Sequence, residues 1–115
     1  MTIDKDTLLI VKSDQFGADE PDLGAKLTQA FFACLLESGS LPDEMIFMAR
    51  GVFLATEGTP VLDMLEKIAG AGTRISSCGT CLDYYDRREK LVVGVPGTMK
   101  GTVEAIQTHA KVVQP

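Results

Sequence analysis

One histidine and three cysteines are present in the 115 residues of this chain, and eleven basic residues stand against sixteen acidic ones. Each shortage excludes something. With a single histidine, His109, the chain offers no histidine-rich metal site, and with no histidine beside it Cys78 lacks the usual partner of a cysteine protease. An odd number of cysteines supplies no disulfide framework, and without a secretory signal it fits a reducing compartment where thiols serve chemistry or packing. A net charge of −5 is the wrong sign for a nucleic-acid partner, which is held through clustered Lys and Arg. No apolar run approaches the ~20 residues that a membrane-spanning helix needs. The N-terminus, Met1 to Asp6, is polar and lacks the apolar core of a signal peptide. These absences predict a cytoplasmic protein with neither a nucleic-acid nor a membrane partner.

Hydrophobic residues make up 45% of the chain, enough for one core in a single domain, residues 1–115. The most informative stretch is Ser76-Ser77-Cys78-Gly79-Thr80-Cys81, two thiols in C-x-x-C spacing between a β-branched run and a helical pattern. Cys78 is expected where a strand hands over to a helix, a junction whose free N–H groups favour a thiolate over a thiol. Gly79 allows a tight turn and close approach of a second sulfur, and cysteines three apart are able to close a small disulfide ring. The same spacing also serves zinc, but a structural zinc site takes four ligands, and only Cys34 and His109 remain as further donors. No metal and no cofactor is therefore expected within one chain. Cys34 falls on a periodic apolar helix face and is expected in the core. His109 is expected at the end of the last helix, where a cation suits the dipole.

Thr7-Leu8-Leu9-Ile10-Val11 reads as a strand buried on both faces. A polar loop follows, in which Ser13, Asp14 and Gln15 are candidates to line a site. A helix from Leu23, capped by Asp22 and stopped by Gly39, would bury Leu23, Leu27, Ala30, Phe31, Cys34 and Leu35. Met45–Ala49 reads as a second strand, its methionines as core filler rather than soft-metal ligands. Arg50–Thr56 reads as a short helix or turn, either leaving Val52, Phe53 and Leu54 partly exposed for self-association or lying as a lid on the core. Arg50 is a candidate to point a guanidinium at an anion near Cys78, or to end in a surface ion pair. Thr59-Pro60 opens a second long helix with Val61, Leu62, Leu65, Ile68 and Ala69 inward. Arg87-Arg88 reads as a solvated turn. Leu91–Val95 reads as a buried strand broken by Pro96-Gly97. Thr98 caps a last helix with Met99, Val103, Ile106 and Ala110 inward, and Lys111–Val113 closes the chain as a short strand. The glycines of residues 94–101 match no phosphate-loop spacing.

The order β-α-β-(short α)-α-β-(short α)-β-α-β predicts an α/β three-layer sandwich, a mostly parallel five-stranded sheet with helices on both faces. The pair at residues 78 to 81 falls too late in the chain for a thioredoxin-like topology.

Gly51-Val52-Phe53-Leu54-Ala55, then Ile75 to Tyr85 around the thiols, then Leu91-Val92-Val93-Gly94 and Met99 resemble the DsrE-like family of small sulfurtransferase-type proteins, most closely the C-terminal domain of YedF-type proteins. The resemblance covers nearly the whole chain from Thr7. It implies an open α/β sheet, homo-oligomers and a cysteine that carries sulfur as a persulfide; Cys78 matches that cysteine and Cys81 the second one of the YedF-type segment. YedF-type proteins usually carry a TusA-like domain that residues 1–115 do not include, so the TusA-like donor or acceptor of sulfur that the resemblance implies is either a separate polypeptide or lies outside this sequence. On this reading Cys78 accepts the sulfur, Gly79, Thr80 and Ser77 surround it, Thr80 or Ser77 donates to the outer sulfur, and Cys81 resolves the persulfide. The other reading is an oligomeric binding protein whose C-x-x-C holds a metal or small ligand.

Overall fold

The computed structural model describes residues 1–17 and 19–115. Five parallel strands form one sheet in the order β4-β3-β2-β1-β5: β1 (Thr2–Val11), β2 (Ser40–Phe47), β3 (Arg74–Cys78), β4 (Val95–Gly97) and β5 (Lys111–Val113). The helices are α1 (Pro21–Ser38), α2 (Leu62–Gly70), α3 (Gly79–Tyr84) and α4 (Met99–Thr108). A 3-10 turn over Ala49–Ala55 links β2 towards α2. The architecture is the expected α/β sandwich, with the sheet parallel throughout.

The apolar run of β1 is divided between two cores by strand alternation. Leu9 and Val11 join Met45, Phe47, Ile75, Phe32, Leu65 and Ile68 under α1 and α2, while Leu8 and Ile10 meet Ile46 and Ala105 under α4. The strand itself starts earlier than the apolar run, at Thr2, and its pairing with β2 slips between Asp4 and Leu8. Here the Asp4 carboxylate accepts hydrogen bonds from the Asp6 N–H and the Thr7 hydroxyl.

Several expectations are corrected. Helix α1 begins at Pro21 with Glu20 before it and no side-chain cap, so Asp22 lies in the first turn instead of capping it; Gly39 ends the helix in left-handed geometry as expected. Its buried line is Gly24, Thr28 and Phe32 rather than the Leu23–Leu27–Cys34 stripe. The reason is local: the Thr28 hydroxyl donates to Gly24 O and accepts from the Phe16 N–H, which pins the small-residue line against the loop after β1. Cys34 is consequently exposed, not core. Helix α4 is rotated in the same way, burying Thr102 and Ala105 while Met99, Val103 and Ile106 are exposed, as is Ala110 beyond its end. Only α2 buries the side that its periodicity marks, through Val61, Leu65 and Ile68. It starts at Leu62, after a turn in which Thr59 Oγ1 accepts from the Val61 N–H.

The strand expected at Leu91–Val95 forms instead at Val95–Gly97, at the sheet edge, where the missing N–H of Pro96 is tolerated. Leu91 makes an isolated antiparallel bridge with Thr56. β2 likewise starts at Ser40, before the Met45 expected. Of the two readings of Val52-Phe53-Leu54, the lid is what forms: Val52, Leu54 and Ala55 are buried and leave no apolar patch. Among the described residues, no helix is long and apolar enough to cross a membrane.

Candidate functional site at the carboxyl end of the sheet

Strand β3 ends on Cys78 and α3 starts on Gly79, so the handover read from the sequence is where the structure puts it. Cys78 occupies the N-cap, and its Sγ accepts the Cys81 N–H at 3.4 Å. A sulfur thus stands where a serine oxygen usually caps. Cys81 Sγ in turn accepts the Ala49 N–H at 3.2 Å, from the first residue of the 3-10 turn. Ala49 holds φ at 51°, a left-handed conformation that L residues other than glycine adopt at a cost of about 1–2 kcal/mol. Burial pushes the Cys81 thiol above its usual range and the hydrogen bond with Cys78 adds to this, while the Ala49 amide pulls the other way. The raised value favours the protonated thiol of Cys81 near neutral pH.

Two close approaches build the site. A Cβ on Gly79 would lie 2.8 Å from Arg88 Nη2 and 3.2 Å from Gly97 O, so a larger residue would push the Arg88 guanidinium aside and crowd the β4 carbonyl. Gly51 is tighter still. A Cβ there would lie 2.1 Å from Val11 O, and this contact brings the 3-10 turn down onto the end of β1.

Arg50 forms a two-pronged pair with Asp14, both contacts 3.2 Å, and its guanidinium lies 4.5 Å from the Phe53 ring centre and 5.9 Å from that of Tyr85. The surface ion pair considered from the sequence is what forms. Arg87 covers Phe53 as well, at 4.8 Å, and donates to Thr56 Oγ1. Arg88 is paired with Asp83 through two contacts at 2.7 and 3.0 Å. The Arg87-Arg88 pair is therefore built into the wall of the site rather than being a plain solvated turn. Thr80 is exposed on the first turn of α3. Ser77 is fully buried, and its hydroxyl has no hydrogen-bond partner. Of Ser13, Asp14 and Gln15, Asp14 pairs with Arg50 of this edge, and Gln15 lines a cavity of about 380 Å³ with Phe53 and Arg87.

The sequence reading missed the Ala49 amide and Arg88. A backbone donor 32 positions away leaves no sequence mark, whereas Arg88 was marked indirectly by Gly79, the residue that makes room for it. Among the described residues, no three His, Cys, Asp or Glu side chains cluster to hold a metal ion.

A parallel α/β sandwich with a dithiol at the carboxyl end of its third strand is the class that these observations define. No family model and no curated protein matches the chain. Solved structures do. The ychN protein from E. coli superposes with a TM-score of 0.68 at 18% identity, over 97% of this chain and 100% of that one. A protein of unknown function from Methanobacterium thermoautotrophicum gives 0.68 at 16%, over 97% and 100%. Another, from Bacteroides thetaiotaomicron, gives 0.64 at 16%, over 96% and 95%. These likenesses establish the fold, which is consistent with the DsrE-like resemblance of the sequence.

Proposed function

We propose that this chain is a DsrE-like sulfur-relay protein, related to the YedF type, in which Cys78 receives a sulfane sulfur and passes it on. The observation that carries the reading is the arrangement of the two sulfurs, each accepting a backbone N–H, with a protonated Cys81 beside Cys78. The Cys78 thiolate attacks the outer sulfur of a donor persulfide, R–S–S−. The new S–S bond leaves Cys78–S–S− on the protein and releases the donor as R–S−. An acceptor thiolate then attacks the outer sulfur, taking it as its own persulfide and returning Cys78 to thiolate. The electron count is unchanged throughout, so neither step needs an oxidant.

Cys81 decides whether the sulfur is kept. Attack by the Cys81 thiolate on the inner sulfur, its proton having passed to the outer one, would close a Cys78–Cys81 disulfide and expel HS−. The raised pKa of Cys81 suppresses that thiolate near neutral pH, which favours handing the sulfur to a partner. That partner is a protein persulfide or thiol, a TusA-like protein being the candidate, in the cytoplasm. Thr80, exposed on the first turn of α3, is the hydroxyl on offer to the outer sulfur. The buried Ser77 is the weaker of the two candidates.

Intact-protein mass spectrometry after incubation with a sulfane-sulfur donor tests this. Wild type is expected to gain the mass of one sulfur, and Cys78→Ser to gain nothing. Cys81→Ser is expected to load and to hold the adduct longer. Stoichiometric loading of Cys78→Ser would sink the assignment.

A further inference from the structure

The outward side of α1 is apolar although the core does not use it. Leu23 is 50% exposed and Leu27 44% exposed; Ala30 and Cys34 continue the line, with Phe31 half-buried beside it. A shallow depression of about 420 Å³ runs along it between Leu27, Ala30, Phe31, Cys34, Leu35 and Ser38. The spacing of four, three and four between Leu23, Leu27, Ala30 and Cys34 is that of a helix–helix seam. Small residues in that seam allow another helix to come close.

From this face we infer that α1 docks against α1 of a second copy of the chain, antiparallel, about a two-fold axis passing midway between Ala30 and Phe31. Within the stripe, Leu27 and Cys34 are equidistant from that point. Reversal sets Ala30 against the partner's Phe31, Leu27 against the partner's Cys34, and Leu23 at the level of the partner's Ser38. A two-fold interface has to be self-complementary in this way, since the same patch forms both sides. The flanking charges also match. Lys26 and Glu37 are eleven residues apart, close to three helical turns, and therefore share one flank of the stripe. Neither belongs to the described ion pairs of the fold. The two-fold axis brings Lys26 to the same flank as the partner's Glu37, about two residues apart along the axis and within reach of a lysine side chain. A partner of unrelated sequence would have no reason to mirror this pattern. The proposal is independent of the sulfur chemistry, because the stripe and the thiols are on different elements.

Sedimentation of the full chain measures it. Wild type is expected to run as a dimer or an even-numbered assembly, and Leu27→Glu to shift to half that size with an unchanged circular dichroism spectrum. Lys26→Glu should weaken association, and the swap Lys26→Glu with Glu37→Lys should restore it. In a Cys78→Ser, Cys81→Ser background, Leu27→Cys should form an intermolecular disulfide with Cys34 under mild oxidation, located by peptide mapping, whereas Gln29→Cys should not. This arm decides the matter even if Leu27→Glu misfolds. A monomeric wild type, as expected if a different protein covers the stripe, would overturn the proposal. So would an assembly in which no 27–34 disulfide forms.

Discussion

At the amino end of the strands, Asp43 on β2 is held by Arg74 at 2.8 Å, by His109 at 2.8 Å and by Lys5 at 3.6 Å. At the carboxyl end Ser77 has no partner, Ala49 is in left-handed geometry, and two sulfurs accept backbone N–H groups. The first end resolves its polar groups by charge pairing. The second leaves strain at Ala49, an unpaired hydroxyl at Ser77 and the two thiols of Cys78 and Cys81 on neighbouring elements, none of which a brace needs.

The brace has its own logic. His109, its side chain 5% exposed, has Nε2 at 2.8 Å from Asp43 Oδ2 and Nδ1 at 2.7 Å from Ala105 O. Both partners are acceptors, an arrangement that favours the doubly protonated ring, which donates from both nitrogens. Burial alone would lower its pKa, but the bonds to Ala105 O and Asp43 and the charges of Asp43 and Glu44 outweigh burial and raise it. The same bond from His109, with Arg74 and Lys5 behind it, lowers the pKa of Asp43 against its own burial. This ties the end of α4 to β2, and it has no link to the thiols.

The largest effect in this comparison should come from Gly51→Ala. The added Cβ meets Val11 O at a distance that no rotamer relieves, so the 3-10 turn must lift. A cost of about 3 kcal/mol is expected in urea unfolding. Because Ala49 moves with the turn, alkylation of Cys81 should change in the same variant. An unchanged alkylation rate would separate the strain from the site. Next in size is Asp43→Ala, expected to cost about 1–3 kcal/mol by leaving the imidazolium without its carboxylate, with sulfur loading at Cys78 intact; loss of loading would show that the two ends are coupled.

A finer test of the same end is pH. The folded pKa of His109 is raised above the ordinary 6.5, so its contribution is complete below that value and is lost as pH rises through the raised one. Asp43, lowered from 3.8, contributes above that value and loses its contribution as pH falls through the lowered one. Urea midpoints should therefore decline above the ordinary imidazole range in wild type but not in His109→Gln. The smallest effect is expected of Ala49→Gly, a gain of about 0.5 kcal/mol as relief of the left-handed strain exceeds the entropy cost of glycine. A loss instead would mean that the turn is not strained.

The fold class and the position of the thiols were readable because their signals are local. A continuous apolar run makes Leu8–Val11 a buried strand, and a glycine after Cys78 with helix-forming residues beyond it makes the handover, whatever lies elsewhere in the chain. What the sequence could not decide is which side of α1 and α4 meets the sheet. Periodicity marks a stripe, and in α2 the stripe is the core face. In α1 the Thr28 bonds to Gly24 and Phe16 choose another line. Nor could it place β4, since Pro96 is compatible with a strand only once that strand is known to lie at the edge. The Ala49 amide on Cys81 and the Asp43 carboxylate on His109 join residues 32 and 66 positions apart. Local preference fixed the elements and the order of the thiols along the chain. Strand order and helix rotation brought distant backbone and charge to them, because those contacts depend on every neighbour at once and no single stretch of sequence carries them.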